Sequence, residues 1–260
     1  MKIGTAVPSS EELNAVKHHF IHHKSIDEIY NVGAFEIDAI ECLNELFKHH
    51  SVVIMVGGSG LYVDAVTKGL DNLPDIDPSI RENLNLQLKN EGLESLQDEL
   101  KKQDPESYKS IEIENPHRVI RALEVCRGSG KPFSTFLNKK KPKRNFKTIS
   151  IGLIAEREII YTRINQRVDI MMNSGLLEEV ITLSSKQQLN ALNTVGYKEL
   201  FQYLNNNWSL DFAISEIKKN TRRFAKRQLT WFRKNPSIYW YDYNYDLNTI
   251  IKKLEDLITE

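Results

Sequence analysis

Apolar residues run unbroken from Val52 to Val56 and stop at Gly57-Gly58-Ser59-Gly60. A continuous apolar run of this kind predicts a strand buried on both faces, the habit of parallel sheets. The glycines at 57, 58 and 60 allow a sharp turn and a close approach of a ligand to the backbone. A helical pattern starts near Leu61 and reaches about Lys68, and its first N–H groups are open to an anion. A strand end, a glycine turn and a helix start therefore coincide, which is where open α/β sheets bind ligands. A tight turn without a ligand is the plainer reading of the same residues.

The remaining pattern is mostly helical. Ile37, Ile40, Leu43 and Phe47 recur at helical spacing and predict a helix over 33–48 packed on the sheet. Between 78 and 136 only helices are predicted, at 78–90, 94–103 and 116–127. Asp77-Pro78 and Asn115-Pro116 place a capping side chain before a proline suited to the first helical position. Three helices with no strand between them point to a helical insertion in an α/β domain. Thr148–Ala155 reads as a second buried strand. Arg157, Arg163 and Arg167 then recur through a helix whose apolar residues are Ile160, Ile164, Val168 and Met171. Asn193–Lys198 begins a further helix. Ser209 caps a long one over 210–233, Asn235-Pro236 ends it, and Ile238–Tyr241 forms a terminal strand. The predicted fold class is α/β: a parallel sheet core over 1–76 and 147–260, with a helical insertion domain over 77–146.

Composition narrows the picture less than distribution does. Lys plus Arg number 35 and Asp plus Glu number 35, so net charge names no partner. Residues 218–234 nevertheless hold eight basic residues and no acid, and residues 139–147 hold six and no acid. Such blocks suit a polyanion bound at a defined place, though the shorter one reads as a solvated linker. Cys42 and Cys126 lie in amphipathic patterns and read as buried free thiols. No stretch approaches a membrane span and no signal peptide opens the chain, so the cytosol is expected. His18-His19 and His22-His23 lack a carboxylate or cysteine at ligand spacing, which favours hydrogen-bonding loop histidines over a metal site. Gly128-Ser129-Gly130-Lys131-Pro132 imitates a phosphate loop. Val125 stands where its first glycine belongs and Pro132 where Ser or Thr belongs, so the glycines read as a helix stop.

The long helix carries the clearest chemistry. Ile214, Ile217, Phe224 and Phe232 form its core face, and Lys218, Lys219, Arg222, Arg223, Lys226, Arg227, Arg233 and Lys234 cover the rest. Arg and Lys neutralise phosphates, and the interleaved Gln228 and Trp231 can bond to or stack on a base. A solvent face normally mixes signs, and this one lacks acids. Arg118 and Arg121 sit three apart near a helix start, able either to reach phosphates or to pair with Glu114 and Glu124.

Seven motifs then occur in one order: Ile3-Gly4-Thr5-Ala6, His18-His19-Phe20-Ile21, Gly57–Tyr62, Asn115–Glu124, Arg163–Val168, Thr194–Tyr197 and Lys226–Arg233. Together they resemble the tRNA dimethylallyltransferases, from Met1 to about Tyr241. The resemblance implies transfer of a dimethylallyl group from dimethylallyl diphosphate to N6 of the adenine beside the anticodon, position 37 of the tRNA, with Mg²⁺. It implies a P-loop-type core with an inserted helical domain, and a monomer is expected. Ser59 would stand near the reacting amine. Arg81, the stretch His117, Arg118, Val119, Ile120 and Arg121, the stretch Asn193, Thr194, Val195, Gly196, Tyr197 and Lys198, and the stretch Lys226, Arg227, Gln228, Leu229, Thr230, Trp231, Phe232 and Arg233 would contact the tRNA anticodon stem-loop. Arg157 and Arg163 would lie near the diphosphate.

The family pattern also has a first strand, a Gly-x-x-x-x-Gly-Lys-Ser/Thr loop and an Asp-Ser-x-Gln-x-Tyr segment, the Asp serving as general base. None of these occurs in the 260 residues. An N-terminally truncated chain, its first strands and P-loop missing and inactive on its own, is the expectation. A non-catalytic tRNA-binding module and an adenylate prenyltransferase remain as alternatives.

Overall fold

The computed structural model of the chain describes residues 1–137 and 143–259. In order run α1 (Ser10–Ala15), α2 (Val32–Leu46), α3 (Gly60–Lys68), α4 (Pro78–Glu91), α5 (Leu93–Gln103), α6 (Pro105–Ser110) and α7 (Pro116–Ser129). Then follow β1 (Ser150–Ile154), α8 (Arg157–Asn173), α9 (Leu176–Thr182), α10 (Tyr197–Leu204), α11 (Leu210–Phe232), β2 (Ile238–Asp242) and α12 (Leu247–Thr259). They form two compact units, residues 64–145 and residues 1–63 with 146–260.

In the helical unit, sequence chemistry sets each helix start. The Asp77 carboxylate accepts from Ser79 N–H ahead of Pro78, and the Asn115 side chain accepts from His117 N–H ahead of Pro116. Gly130 ends α7 at φ 68°, the left-handed conformation that a helix-stopping glycine adopts. α7 buries Val119, Ile120 and Leu123 against Leu84 of α4 and Leu96 and Leu100 of α5. Asp104, 1% exposed, is fully bonded there. Its two oxygens accept from the N–H and hydroxyl of both Ser107 and Ser134. Burial pushes this carboxyl up, but the four bonds outweigh burial and hold it below its ordinary range.

In the other unit, β1 and β2 pair in parallel, from Ser150 opposite Ile238 to Ile154 opposite Asp242. Gly152 is required there, because a Cβ would stand 2.6 Å from the Trp240 ring. A separate cluster packs Val168 of α8, Leu176 and Val180 of α9, Tyr197, Leu200 and Phe201 of α10, and Ala213 and Ile217 of α11.

Several expectations need correction. The run Val52–Val56 pairs with no strand among the described residues, and Ile54 and Val56 are 83% and 90% exposed. Apolar, β-branched residues give a segment the capacity for a strand. The strand itself needs a neighbouring backbone to bond with, and among the described residues none is paired with this one. The described sheet therefore has two strands rather than an extended parallel core. β1 is only half-buried, because its side chains alternate and the face that carries Ile151 and Leu153 remains exposed. Ile37 on α2 faces outward while Ala39 is buried, and Phe224 on α11 is exposed beside the Arg227 guanidinium. α10 begins at Tyr197 rather than Asn193, because Gly196 at φ 102° makes the turn into it. Of the basic run at 139–147, residues 139–142 lie outside the described residues.

The packing of α7 predicts a large truncation cost. Leu123→Ala should destabilise the helical unit by about 2–5 kcal/mol. Urea unfolding followed by helical circular dichroism measures it, and a loss below about 0.5 kcal/mol would contradict the packing described.

Candidate functional site

α11 is a two-sided element. Ser209 caps it by accepting from Phe212 N–H, and Ala213 and Ile217 fix its inner face. Its first basic residues are tied to neighbours. Lys218 pairs with Asp169 of α8 at 2.6 Å, and Lys219 pairs with Glu216. Arg222 donates to Asn165 at 2.8 Å and lies over the Tyr161 ring. Further along, Lys226, Arg227, Arg233 and Lys234 are exposed and have no acidic partner among the described residues. The acid-free block of the sequence thus becomes an unneutralised surface at the C-terminal end of α11.

That same end touches the glycine turn. A Cβ on Gly58 would stand 2.3 Å from the Gln228 carboxamide, and one on Gly60 would stand 2.3 Å from the Trp231 indole. Two of the three glycines are therefore needed for close approach to α11. Ser59 lies exposed between them, and its carbonyl accepts from Tyr62 and Val63 N–H to start α3. The turn forms one wall of an open pocket of about 210 Å³, completed by Phe35, Met55, Val56, Tyr62 and Val63. The Phe35 and Tyr62 rings meet there at 5.0 Å. A short hydroxyl beside apolar walls and a cationic helix end can hold a small apolar group next to an anionic partner.

Among the expected site residues, Ser59, Gln228 and Trp231 come together. Gln228 and Trp231 face the turn, so their contact with the protein is established by packing. Leu229 and Phe232 are half-buried, and Thr230 donates to Lys226 C=O within the helix. Arg157 and Arg163 lie exposed on α8, the latter over the Tyr243 ring. No hydrogen bond joins either to the glycine turn among the described residues. Val119 and Ile120 are 0% and 3% exposed and cannot touch a macromolecule, so only His117, Arg118 and Arg121 of that run remain available. Gly196 and Tyr197 are buried as well, leaving Asn193, Thr194, Lys198 and the half-buried Val195. Both corrections have one cause: consecutive residues of a helix or tight turn point in different directions, so a run of five or six never presents all its side chains to one partner.

Tyr197 has another task. Its hydroxyl donates to Glu179 at 2.5 Å, and the same carboxylate accepts from the N–H groups of Lys2, Ile3 and Gly4. The Tyr197 ring occupies the space a Gly4 side chain would fill. Two separate sequence motifs, Ile3–Ala6 and Thr194–Tyr197, thus meet on Glu179, a residue that sequence reasoning missed. Its only signal is the second of two adjacent acids, Glu178 and Glu179, in the first turn of α9. Nearby, Glu199, 1% exposed, accepts from Gly196 N–H and from Asn220 of α11, each at 2.8 Å.

In the helical unit Arg81 donates from Nε and Nη2 to Glu124, at 3.0 and 2.7 Å, and Arg121 donates from Nη1 at 2.8 Å. Arg118 pairs with Glu112 at 3.6 Å, both largely exposed.

Three of the four paired histidines make separate polar contacts within the protein. His18 bonds to Val16 C=O, His22 to Met1 C=O, and His19 lies 3.3 Å from Cys42 Sγ. Among the described residues no three His, Cys, Asp or Glu side chains converge to hold a metal. Mg²⁺ keeps several waters and binds through one or two carboxylates plus substrate phosphates, so a protein cage is not its usual site.

The sequence model for IPP transferase matches residues 1–235. The chain belongs to the IPP transferase family. This is a family of prenyltransferase enzymes. Among its relatives, a tRNA dimethylallyltransferase from Christiangramia forsetii is 58% identical over 258 residues, covering 99% of this chain and 85% of that protein. One from Flavobacterium johnsoniae is 58% identical over 257 residues, covering 96% and 83%. The crystal structure of the tRNA isopentenylpyrophosphate transferase of Bacillus halodurans superposes with a TM-score of 0.68 at 35% identity, over 99% of this chain and 82% of that one. A eukaryotic dimethylallyltransferase acting on tRNA shares the fold, with a TM-score of 0.78 at 23% identity over 99% of this chain and 69% of that one. No described helix of this IPP transferase is long and apolar enough to cross a membrane.

The Glu179 latch predicts acid sensitivity. Burial raises this carboxyl, but the Tyr197 hydroxyl and the three N–H groups outweigh burial and hold it below its ordinary 4.5. A depressed carboxyl contributes stability above its unfolded value and loses it as pH falls through the folded one. The thermal midpoint should therefore drop as pH falls from the ordinary carboxylate value through the lowered folded one. Glu179→Gln should lower the midpoint at neutral pH and flatten that drop. An unaltered acid profile in the variant would refute the latch.

Proposed function

We propose that this IPP transferase serves the transfer of a dimethylallyl group from dimethylallyl diphosphate to N6 of the adenine beside the tRNA anticodon. The observation that carries the reading is the unneutralised end of α11 lying against the Ser59 turn. It sets a surface for RNA phosphates beside a small, partly apolar pocket. The 58% identical relatives named tRNA dimethylallyltransferase support the same substrate pair.

The chemistry asks for such an arrangement. Adenine N6 is a weak nucleophile, and in stacked RNA it is out of reach, so the base must be extruded and its amine held in line with the allylic carbon. The new bond joins N6 to that carbon as the carbon–oxygen bond to diphosphate breaks, and N6 then gives up its proton to water or to the departing diphosphate. Negative charge gathers on the leaving diphosphate, where arginines or backbone N–H groups must meet it. In this reading Lys226, Arg227 and Arg233 hold the RNA backbone, Ser59 faces the adenine amine, and Gln228 and Trp231 hold the turn that carries Ser59. Arg157 and Arg163 are assigned to the diphosphate, and His117, Arg118, Arg121 and Arg81 to the anticodon stem-loop. Mg²⁺, carried on the diphosphate, would neutralise the leaving group.

Binding of an undermodified tRNA across a salt titration tests this reading. The chain should bind with a steep negative salt slope and resist competition by AMP. Arg227→Ala should weaken binding and reduce the slope by about one. Equal competition by AMP, or an unchanged slope in the folded variant, would count against tRNA.

A further inference from the structure

We infer that Glu124 is a positioning residue that presents Arg81 and Arg121 as one phosphate-binding fork, an inference that rests on the tRNA reading above. Glu124 is buried, its side chain 7% exposed, while the Arg81 and Arg121 side chains are 47% and 41% exposed. The carboxylate therefore points into the helical unit and the two guanidiniums stand outside it. Arg81 spends Nε and Nη2 on Glu124, and Arg121 spends Nη1. Arg81 Nη1 and the Nε and Nη2 of Arg121 keep no protein partner among the described residues. Two positive charges meet one negative, so the group as a whole carries one net positive charge and several outward N–H donors. A single phosphate fits that charge and that donor pattern.

The supporting geometry is rigid. Arg81 lies on α4 and Glu124 on α7, and these helices are clamped together by Leu84 and Leu123, both fully buried. Without Glu124 the two guanidiniums would repel one another and regain rotamer freedom. Burial raises the Glu124 carboxyl, but its bonds to Arg81 and Arg121 outweigh burial and keep it ionised at neutral pH. The plainer role for such a triad is a staple between α4 and α7. The same unit contains a pair of that kind, Arg127 with Glu99, for comparison.

Charge and positioning predict opposite signs for one substitution. Glu124→Gln removes a negative charge, so a surface that attracts RNA by charge alone would bind more tightly. A fork held by Glu124 would bind less tightly, because the carboxamide turns an N–H₂ donor toward a guanidinium and releases it. The experiment measures affinity for an undermodified tRNA and its salt slope in wild type, E124Q, E99Q, and R81A/R121A with and without E124Q. Thermal unfolding is followed on each protein. E124Q should weaken binding roughly fivefold to tenfold although it adds positive charge. E99Q should leave affinity unchanged, and E124Q should add nothing in the R81A/R121A background. If E124Q fails to fold, Glu124→Asp, which keeps the charge and draws the carboxylate back, should weaken binding in the same direction. Unchanged or tighter binding by the folded variant, or an E124Q effect that persists without both arginines, would overturn the inference. A wild-type chain that binds no tRNA would instead remove the tRNA reading itself.

Discussion

The packing of one long helix against a glycine turn sets the rest. α11 must bury Ala213 and Ile217 among α8 and α10 while its C-terminal end lies against Gly58 and Gly60. Only a backbone without side chains at those two positions lets Gln228 and Trp231 approach so closely. Once that contact is made, the remaining faces of the helix end point outward, and these are the faces that carry Lys226, Arg227 and Arg233. The same contact that orients Ser59 therefore orients the cationic surface. In the proposed reading, a site for an RNA base and a grip on its phosphates would come from one helix seated in one register.

Buried and half-buried carboxylates fix the pieces around it. Glu199 ties the start of α10 to Asn220 of α11, and Glu179 gathers the backbone of residues 2–4 and the Tyr197 hydroxyl. In the helical unit Asp104 and Glu124 do the same for a loop and for two arginines. Each charge is surrounded by donors, as burial of an ionised group demands. Removing one partner leaves the others unpaired, so these residues hold geometry more than they add net stability.

Much of this was legible in the residues. Asp77-Pro78, Asn115-Pro116 and Ser209 announced helix starts that the structure shows, because a capping side chain and a fixed proline φ act within one turn of chain. The acid-free stretch after Lys218 announced an unneutralised face, and the motif order announced the family. Other features were hidden. Glu179 lies far along the chain from Lys2 and Ile3, and nothing local to it signals that meeting. The apolar run at Val52–Val56 showed what the segment prefers, but not that the described residues place no neighbour beside it. Val119 and Ile120 were a different error, correctable from sequence: in a helix turning about 100° per residue they cannot share a face with both Arg118 and Arg121.

The central claim is that the exposed end of α11 meets RNA. Amine labelling of Lys226 and Lys234, quantified by mass spectrometry with and without saturating undermodified tRNA, tests it most directly. Labelling of both lysines should fall severalfold on binding, because a phosphate-bound ammonium is shielded from the reagent. Labelling unchanged at both positions, with tRNA demonstrably bound, would contradict it.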